Sequence, residues 1–123
     1  MRIGQKDNSL YIERIAKNPS LIWRFEATIV GAGWMFAGMH DRVVVHTSTE
    51  TAKEMASFAA RTSHRLDVEL SEGGWLRLKR DARGYLLIRY RVGRLGAGAA
   101  LEGEVVLEAD STDSFCAELN ALL

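Results

Sequence analysis

Hydrophobic and polar residues alternate along most of this chain. In LIWRFEATIV (21–30), Leu21, Trp23, Phe25, Ala27 and Ile29 share one face, and Ile22, Arg24, Glu26 and Thr28 the other. In RLDVEL (65–70), Leu66, Val68 and Leu70 oppose Asp67 and Glu69. In YLLIRYRVG (85–93), Leu86, Ile88, Tyr90 and Val92 alternate with Leu87, Arg89 and Arg91. A period of two marks strands with one buried face, and hence a mostly antiparallel sheet. Shorter runs at 10–15, 34–47, 75–81 and 99–109 read as further strands. Pro19, the only proline, falls between the first two runs.

Two segments change period. Over 49–62, Ala52, Met55, Ala56 and Ala59 recur at three- and four-residue steps, with Phe58 at the margin of the stripe. Thr47 and Glu50 have the spacing of a capping box. Over 111–122, Phe115, Leu119 and Leu122 form the stripe; Asp110 suits the N-cap and Asp113 the first turn. The expected class is α+β: an antiparallel sheet with two helices, in the order βββα-ββββα.

The two halves, about 9–63 and 64–123, echo each other. GAGWMFAG (31–38) and GAGAALEG (96–103) stand 65 residues apart. At that offset Ile22-Trp23-Arg24-Phe25 falls on Leu87-Ile88-Arg89-Tyr90. The pattern suggests an imperfect internal duplication within a single domain, 1–123. A phosphate loop needs its glycines between a strand and a helix N-terminus. Here each motif lies between two expected strands, which reads as a hairpin turn. Gly38 and Gly103, inside strand patterns, suggest bulges or close packing.

Composition adds bounds. The chain has 123 residues, 47% hydrophobic and 26% charged, which is ordinary globular usage. Lys plus Arg equals Asp plus Glu, at 16 each, so net charge draws it toward neither nucleic acid nor anionic membrane. Cys116 is the single cysteine, so no internal disulfide forms. The first residues lack a signal-peptide apolar stretch, and no run suits a membrane span. These features lead to the expectation of a cytoplasmic protein.

Chemistry-bearing constellations are sparse. His40, His46 and His64 lack metal-ligand spacing, and Cys116 has acidic rather than basic neighbours in Asp113 and Glu118. No serine has a nucleophile-elbow context. Asp67 and Glu69 read as the solvated side of a strand. The expectation is no catalytic residue, no metal and no cofactor.

Charge is segregated by segment. Residues 75–94 carry seven basic residues against Asp81 alone, and residues 99–123 carry six acidic residues and no basic one. The basic hairpin, with Trp75, Tyr85 and Tyr90 interleaved, offers a candidate ligand patch of Arg77, Lys79, Arg89 and Arg91 with the rings of Trp75 and Tyr90. Charge with interleaved rings suits single-stranded nucleic acid. The alternative is pairing within the sheet, with strand 99–109 beside 85–93 and Glu102 and Glu104 facing Arg89 and Arg91. Equal magnitude and adjacency in sequence favour that pairing.

Trp75-Leu76-Arg77-Leu78, the turn Asp81-Ala82-Arg83-Gly84-Tyr85, the alternating strand after it and the final strand–helix resemble a loose group of small bacterial proteins. Some relatives of that group resemble immunity proteins encoded beside polymorphic toxins. Tyr85 stands where that group often has His, and Ala99-Ala100 where it often has Trp. The resemblance implies a non-enzymatic protein-binding module. The tandem strand–helix units also resemble Pur-alpha-type and whirly-type proteins, which implies single-stranded nucleic-acid binding as the alternative. The expected partner is another protein, with no membrane; strand edges left to cover are compatible with a homodimer.

Overall fold

The computed structural model describes residues 1–5, 8–16, 21–29, 39–47, 49–70, 73–94 and 99–123. The first half runs β1 (Arg2–Gln5), β2 (Asn8–Ala16), β3 (Leu21–Ile29), β4 (Met39–Thr47) and α1 (Thr49–Ala59). The second runs β5 (Arg65–Glu69), β6 (Trp75–Arg80), β7 (Leu86–Arg94), β8 (Ala99–Leu107) and α2 (Ala109–Leu122). Each half forms a four-stranded antiparallel meander, β1-β2-β3-β4 and β5-β6-β7-β8, so the class is α+β. The expected order βββα-ββββα gains β1, and both halves then read ββββα. The amine of Met1 donates to the Ile12 carbonyl at 2.8 Å and the Ile12 N–H donates back at 2.7 Å, stitching β1 to β2.

The glycine motifs fall mostly outside the described residues, as do Pro19 and Trp34. The strands that flank them pair with each other: Ile29 with Met39, and Arg94 with Ala99. Residues 30–38 and 95–98 therefore connect neighbouring antiparallel strands, whereas a phosphate loop runs from a strand into a helix.

Strand pleating sorts the second half cleanly. Leu66, Val68, Leu76, Leu78, Leu86, Ile88, Tyr90 and Val105 are buried and lie across from one another: Leu66 beside Leu78, Leu78 beside Ile88, Ile88 beside Val105. Each such side chain contributes roughly 1.5–3 kcal/mol on burial. Ile3, Leu10 and Ile12 of the first sheet join the same core, and Met55, Phe58, Phe115, Cys116 and Leu119 complete it from the helices. Tyr90 is fully buried, and its ring lies across Gly103, its partner on β8, filling the space that a side chain there would need. Gly103 is thus a close-packing site beneath a ring, and β8 runs through it unbroken.

Both helix boundaries shift from the sequence expectation. α1 starts at Thr49, and Thr47 is the last residue of β4, so the expected capping box is displaced; residue 48 lies outside the described residues. α1 ends at Ala59 rather than 62. Arg61 adopts φ 64°, the Arg61 N–H donates to Phe58 at 3.0 Å, and the Thr62 N–H donates to Ser57 at 2.9 Å. This is a Schellman closure with arginine where glycine is usual. Met55 and Phe58 are the buried side chains of α1, so Phe58 sits at the centre of the stripe, and Ala56 is exposed. In α2 the N-cap is Glu108, not Asp110, which lies in the first turn where its charge suits the helix dipole.

One cation enters the core. Arg80 ends β6 on the inward face and is 9% exposed. Its guanidinium donates to the Ser63 carbonyl at 2.9 Å and to Cys116 Sγ at 3.8 Å, and lies 5.2 Å from the Phe58 ring centre. One side chain thereby joins β6 to α1, to the segment after α1 and to α2. On the surface, Arg61 also reaches across to pair with Asp113 of α2.

The β6–β7 turn is held by Asp81. Its Oδ1 accepts from the Arg83 N–H at 2.9 Å and the Tyr85 N–H at 3.0 Å, and Gly84 takes φ 87°. Desolvation pushes the Asp81 carboxyl up, but the amides of Tyr85 and Arg83 and the Arg83 guanidinium outweigh it and hold the pKa below its ordinary value.

Two outcomes follow from these contacts. Gly103→Ala should destabilise the chain by about 1–3 kcal/mol through overpacking. In a Tyr90→Leu background the same change should cost less, which urea unfolding of the four chains would show. A carboxyl with a depressed folded pKa contributes stability above its unfolded pKa and loses it as pH falls through the folded one. The stability gap between wild type and Asp81→Asn should therefore persist at neutral pH and close below about pH 4.

Candidate functional site

The outer face of the β5–β8 sheet carries what the inner face excludes. Ladder register arranges it in rows. One row runs Glu69, Trp75, Arg91, Glu102. The next runs Asp67, Arg77, Arg89, Glu104. The third runs Arg65, Lys79, Leu87, Val106. The central strands supply four of the five basic residues, Arg65 on β5 being the fifth, and acids from β5 and β8 flank them on both sides.

The flanks engage the centre. Arg89 Nε lies 3.2 Å from a Glu104 carboxylate oxygen, and Arg91 Nη1 lies 3.5 Å from one on Glu102. On β5, Arg65 and Asp67 pair at 3.7 Å. The Arg77 guanidinium stacks over the Trp75 ring, 4.3 Å from its centre. Arg83 stacks on Tyr85 in the same way at 4.7 Å. Arg91 is the most enclosed cation of the face, its side chain 27% exposed, and its Nε is buried with no hydrogen-bond partner among the described residues.

Of the patch residues expected from the sequence, Trp75, Arg77, Lys79, Arg89 and Arg91 share this face. Tyr90 does not. It lies on the inward side with Leu86 and Ile88, and its burial pushes the phenol pKa up. The pleat imposes this: neighbours in sequence point to opposite faces, so a ring between two exposed arginines is buried. Patch members missed in the sequence are aliphatic: Val106 is 57% exposed and Leu87 is half-buried. Tyr85, the third ring of the basic hairpin, is exposed. Leu87 has the same parity as Arg89 and Arg91, and that signal was available in the alternation.

Elsewhere the chemistry is plain. Among the described residues no three His, Cys, Asp or Glu side chains gather as metal ligands. Cys116 is buried beside Arg80. No helix of the described residues is long and apolar enough to cross a membrane. Set against known protein families, curated proteins and solved structures, the chain matches none of them.

If the Arg89–Glu104 pair acts within the sheet, its contribution is that of an exposed ion pair, about 0.2–1 kcal/mol. A double-mutant cycle of Arg89→Ala with Glu104→Ala should give a coupling energy in that range, smaller at high salt.

Proposed function

We propose that this chain is a non-catalytic protein-binding module and that it engages its partner through the outer face of the β5–β8 sheet. The observation that carries this reading is the cluster at Trp75. An indole stacked by Arg77 sits across the ladder from Arg91, whose Nε donor is buried and unfilled. Tryptophan, tyrosine and arginine dominate the energetics of protein interfaces, most of all where they are fixed and partly desolvated. Exposed Val106 and Tyr85 with half-buried Leu87 extend the apolar part of the face. An immunity-type role, which the sequence resemblance implies, is one instance of this reading.

Charge favours a protein over single-stranded nucleic acid. The three rows carry five basic residues and four acidic ones, and three of the arginines, Arg65, Arg89 and Arg91, are already paired with acids. Phosphate binding draws its strength from uncompensated cations and displaced counterions. With Tyr90 facing the core, the stacking surface for bases loses one of its three rings.

The test places a photo-reactive residue at Leu87 and, as a control, at Ala117 on the exposed side of α2, in the native host. The Leu87 probe should yield one discrete protein adduct that Arg91→Ala diminishes, and the Ala117 probe should not. In parallel, a labelled single-stranded oligonucleotide titrated at low and high salt should show no tight, salt-sensitive binding. Steeply salt-dependent oligonucleotide binding, or nucleic acid as the main adduct at Leu87, would sink the proposal.

A further inference from the structure

The β5 strand is the free edge of the second sheet, and its backbone polarity can be read from the ladder. The Arg80 N–H donates to the His64 carbonyl at 2.9 Å, and the Leu70 N–H to the Gly74 carbonyl at 3.0 Å. In an antiparallel pair, alternate residues exchange both backbone bonds. His64, Leu66, Val68 and Leu70 therefore turn toward β6, and Arg65, Asp67 and Glu69 turn their N–H and C=O groups outward. The first of these is already satisfied. Ser63 Oγ donates to the Arg65 carbonyl at 2.8 Å and accepts from the Arg65 N–H at 3.4 Å. Asp67 and Glu69 hold open ladder positions among the described residues.

A groove of about 590 Å³ runs beside this edge. Glu50, Lys53 and Glu54 of α1 form its far wall, and Arg65, Leu66 and Asp67 form its near side. The corresponding edge of the first sheet, β1, faces a smaller cleft of about 270 Å³ lined in part by Phe115 and Leu107. The open positions of the β5 edge are acidic, Asp67 and Glu69 alternating along it, and the far wall of the groove carries Glu50 and Glu54 with one cation, Lys53. Arg65, the nearby cation on the strand, is paired with Asp67.

A second copy of the chain fits this edge poorly. Antiparallel self-pairing through the open positions sets Asp67 against its own copy or against Glu69, and like charges directly opposite destabilise a sheet. The register that would pair Arg65 with Asp67 of the copy uses the position Ser63 has capped. An extended segment with basic residues at alternate positions meets neither obstacle. Its backbone completes the ladder, and its cations face Asp67 and Glu69.

We propose that the β5 edge is a β-augmentation site for an extended, basic segment of a partner protein, engaged through the strand's outward backbone groups and bordering the outer sheet face at Asp67 and Glu69. The probe is a capped peptide of alternating lysine and valine, five residues long, with a glutamate–valine peptide as control, titrated against the full chain. The basic peptide should bind at least tenfold tighter. N-methylation of one alternate set of its amides should abolish binding, and methylation of the other set should leave it. Hydrogen exchange of the Asp67 and Glu69 amides should slow at least tenfold in the complex. The double variant Asp67→Lys/Glu69→Lys should reverse the preference toward the acidic peptide. If it does not fold, the exchange measurement on wild type decides. Equal binding of both peptides, indifference to which amides are methylated, or unprotected Asp67 and Glu69 amides would overturn the proposal. So would protection of those amides by raised chain concentration without peptide, which would assign the edge to a second copy. None of these measurements depends on Trp75 or Arg91, so this site and the outer face stand or fall separately.

Discussion

Burial of Leu76, Leu78, Leu86, Ile88 and Tyr90 on one side of the β6–β7 hairpin governs the rest of the molecule. A strand has two faces, and a one-residue slip would exchange them. Commitment of five large apolar groups to the core therefore presents Trp75, Arg77, Lys79, Leu87, Arg89 and Arg91 together to the other side. β5 and β8 join that hairpin in the same phase and bring their acids to its flanks. The mixed-charge face is thus the obligate reverse of the core, and its cations lie close enough to the acids to pair. The same phase brings Gly103 opposite Tyr90, where a large ring and a missing side chain fill one another's space.

The core belongs to both halves. Residues of the first sheet, the second sheet and both helices form one buried cluster, and α1 lies against α2 and β5. Arg80 expresses the arrangement in a single side chain, because its partners are spread over three elements remote in sequence. Burial of a guanidinium is tolerated there because a carbonyl, a sulfur and an aromatic face receive it.

The second half was the more legible part of the sequence. Its strands are regular and each apolar residue of RLDVEL and WLRLKR falls in phase, apart from Trp75, which is half-buried on the outer face. β1 escaped notice because four residues, RIGQ, are too few to display a period and Gly4 interrupts them. The start of α1 at 49 was placed correctly, but its cap and the start of α2 were misplaced because several adjacent residues can cap: Thr47, Ser48 and Thr49 before α1, and Asp110 and Ser111 near α2. The end of α1 was obscured because a non-glycine residue, Arg61, takes the left-handed position that usually announces a stop. Tyr90 was grouped with the arginines by adjacency, although the same alternation had already set it beside Leu86 and Ile88. The basic and acidic segments were visible as blocks. Their equal size and adjacency already pointed to Glu102 and Glu104 facing Arg89 and Arg91, and the ladder pairs Arg89 with Glu104 and Arg91 with Glu102.

The placement of α1 has a consequence for how the chain is made. Met55 and Phe58 lie in a core whose neighbouring walls include β5, β6 and α2, all of which follow α1 in sequence. As the chain leaves the ribosome, the first half can zip its meander before β5 and α2, against which α1 lies, have been made. Domains generally fold as units, and incomplete ones expose apolar surface. The emerging first half therefore leaves Met55 and Phe58 incompletely covered until β5, β6 and finally α2 have followed.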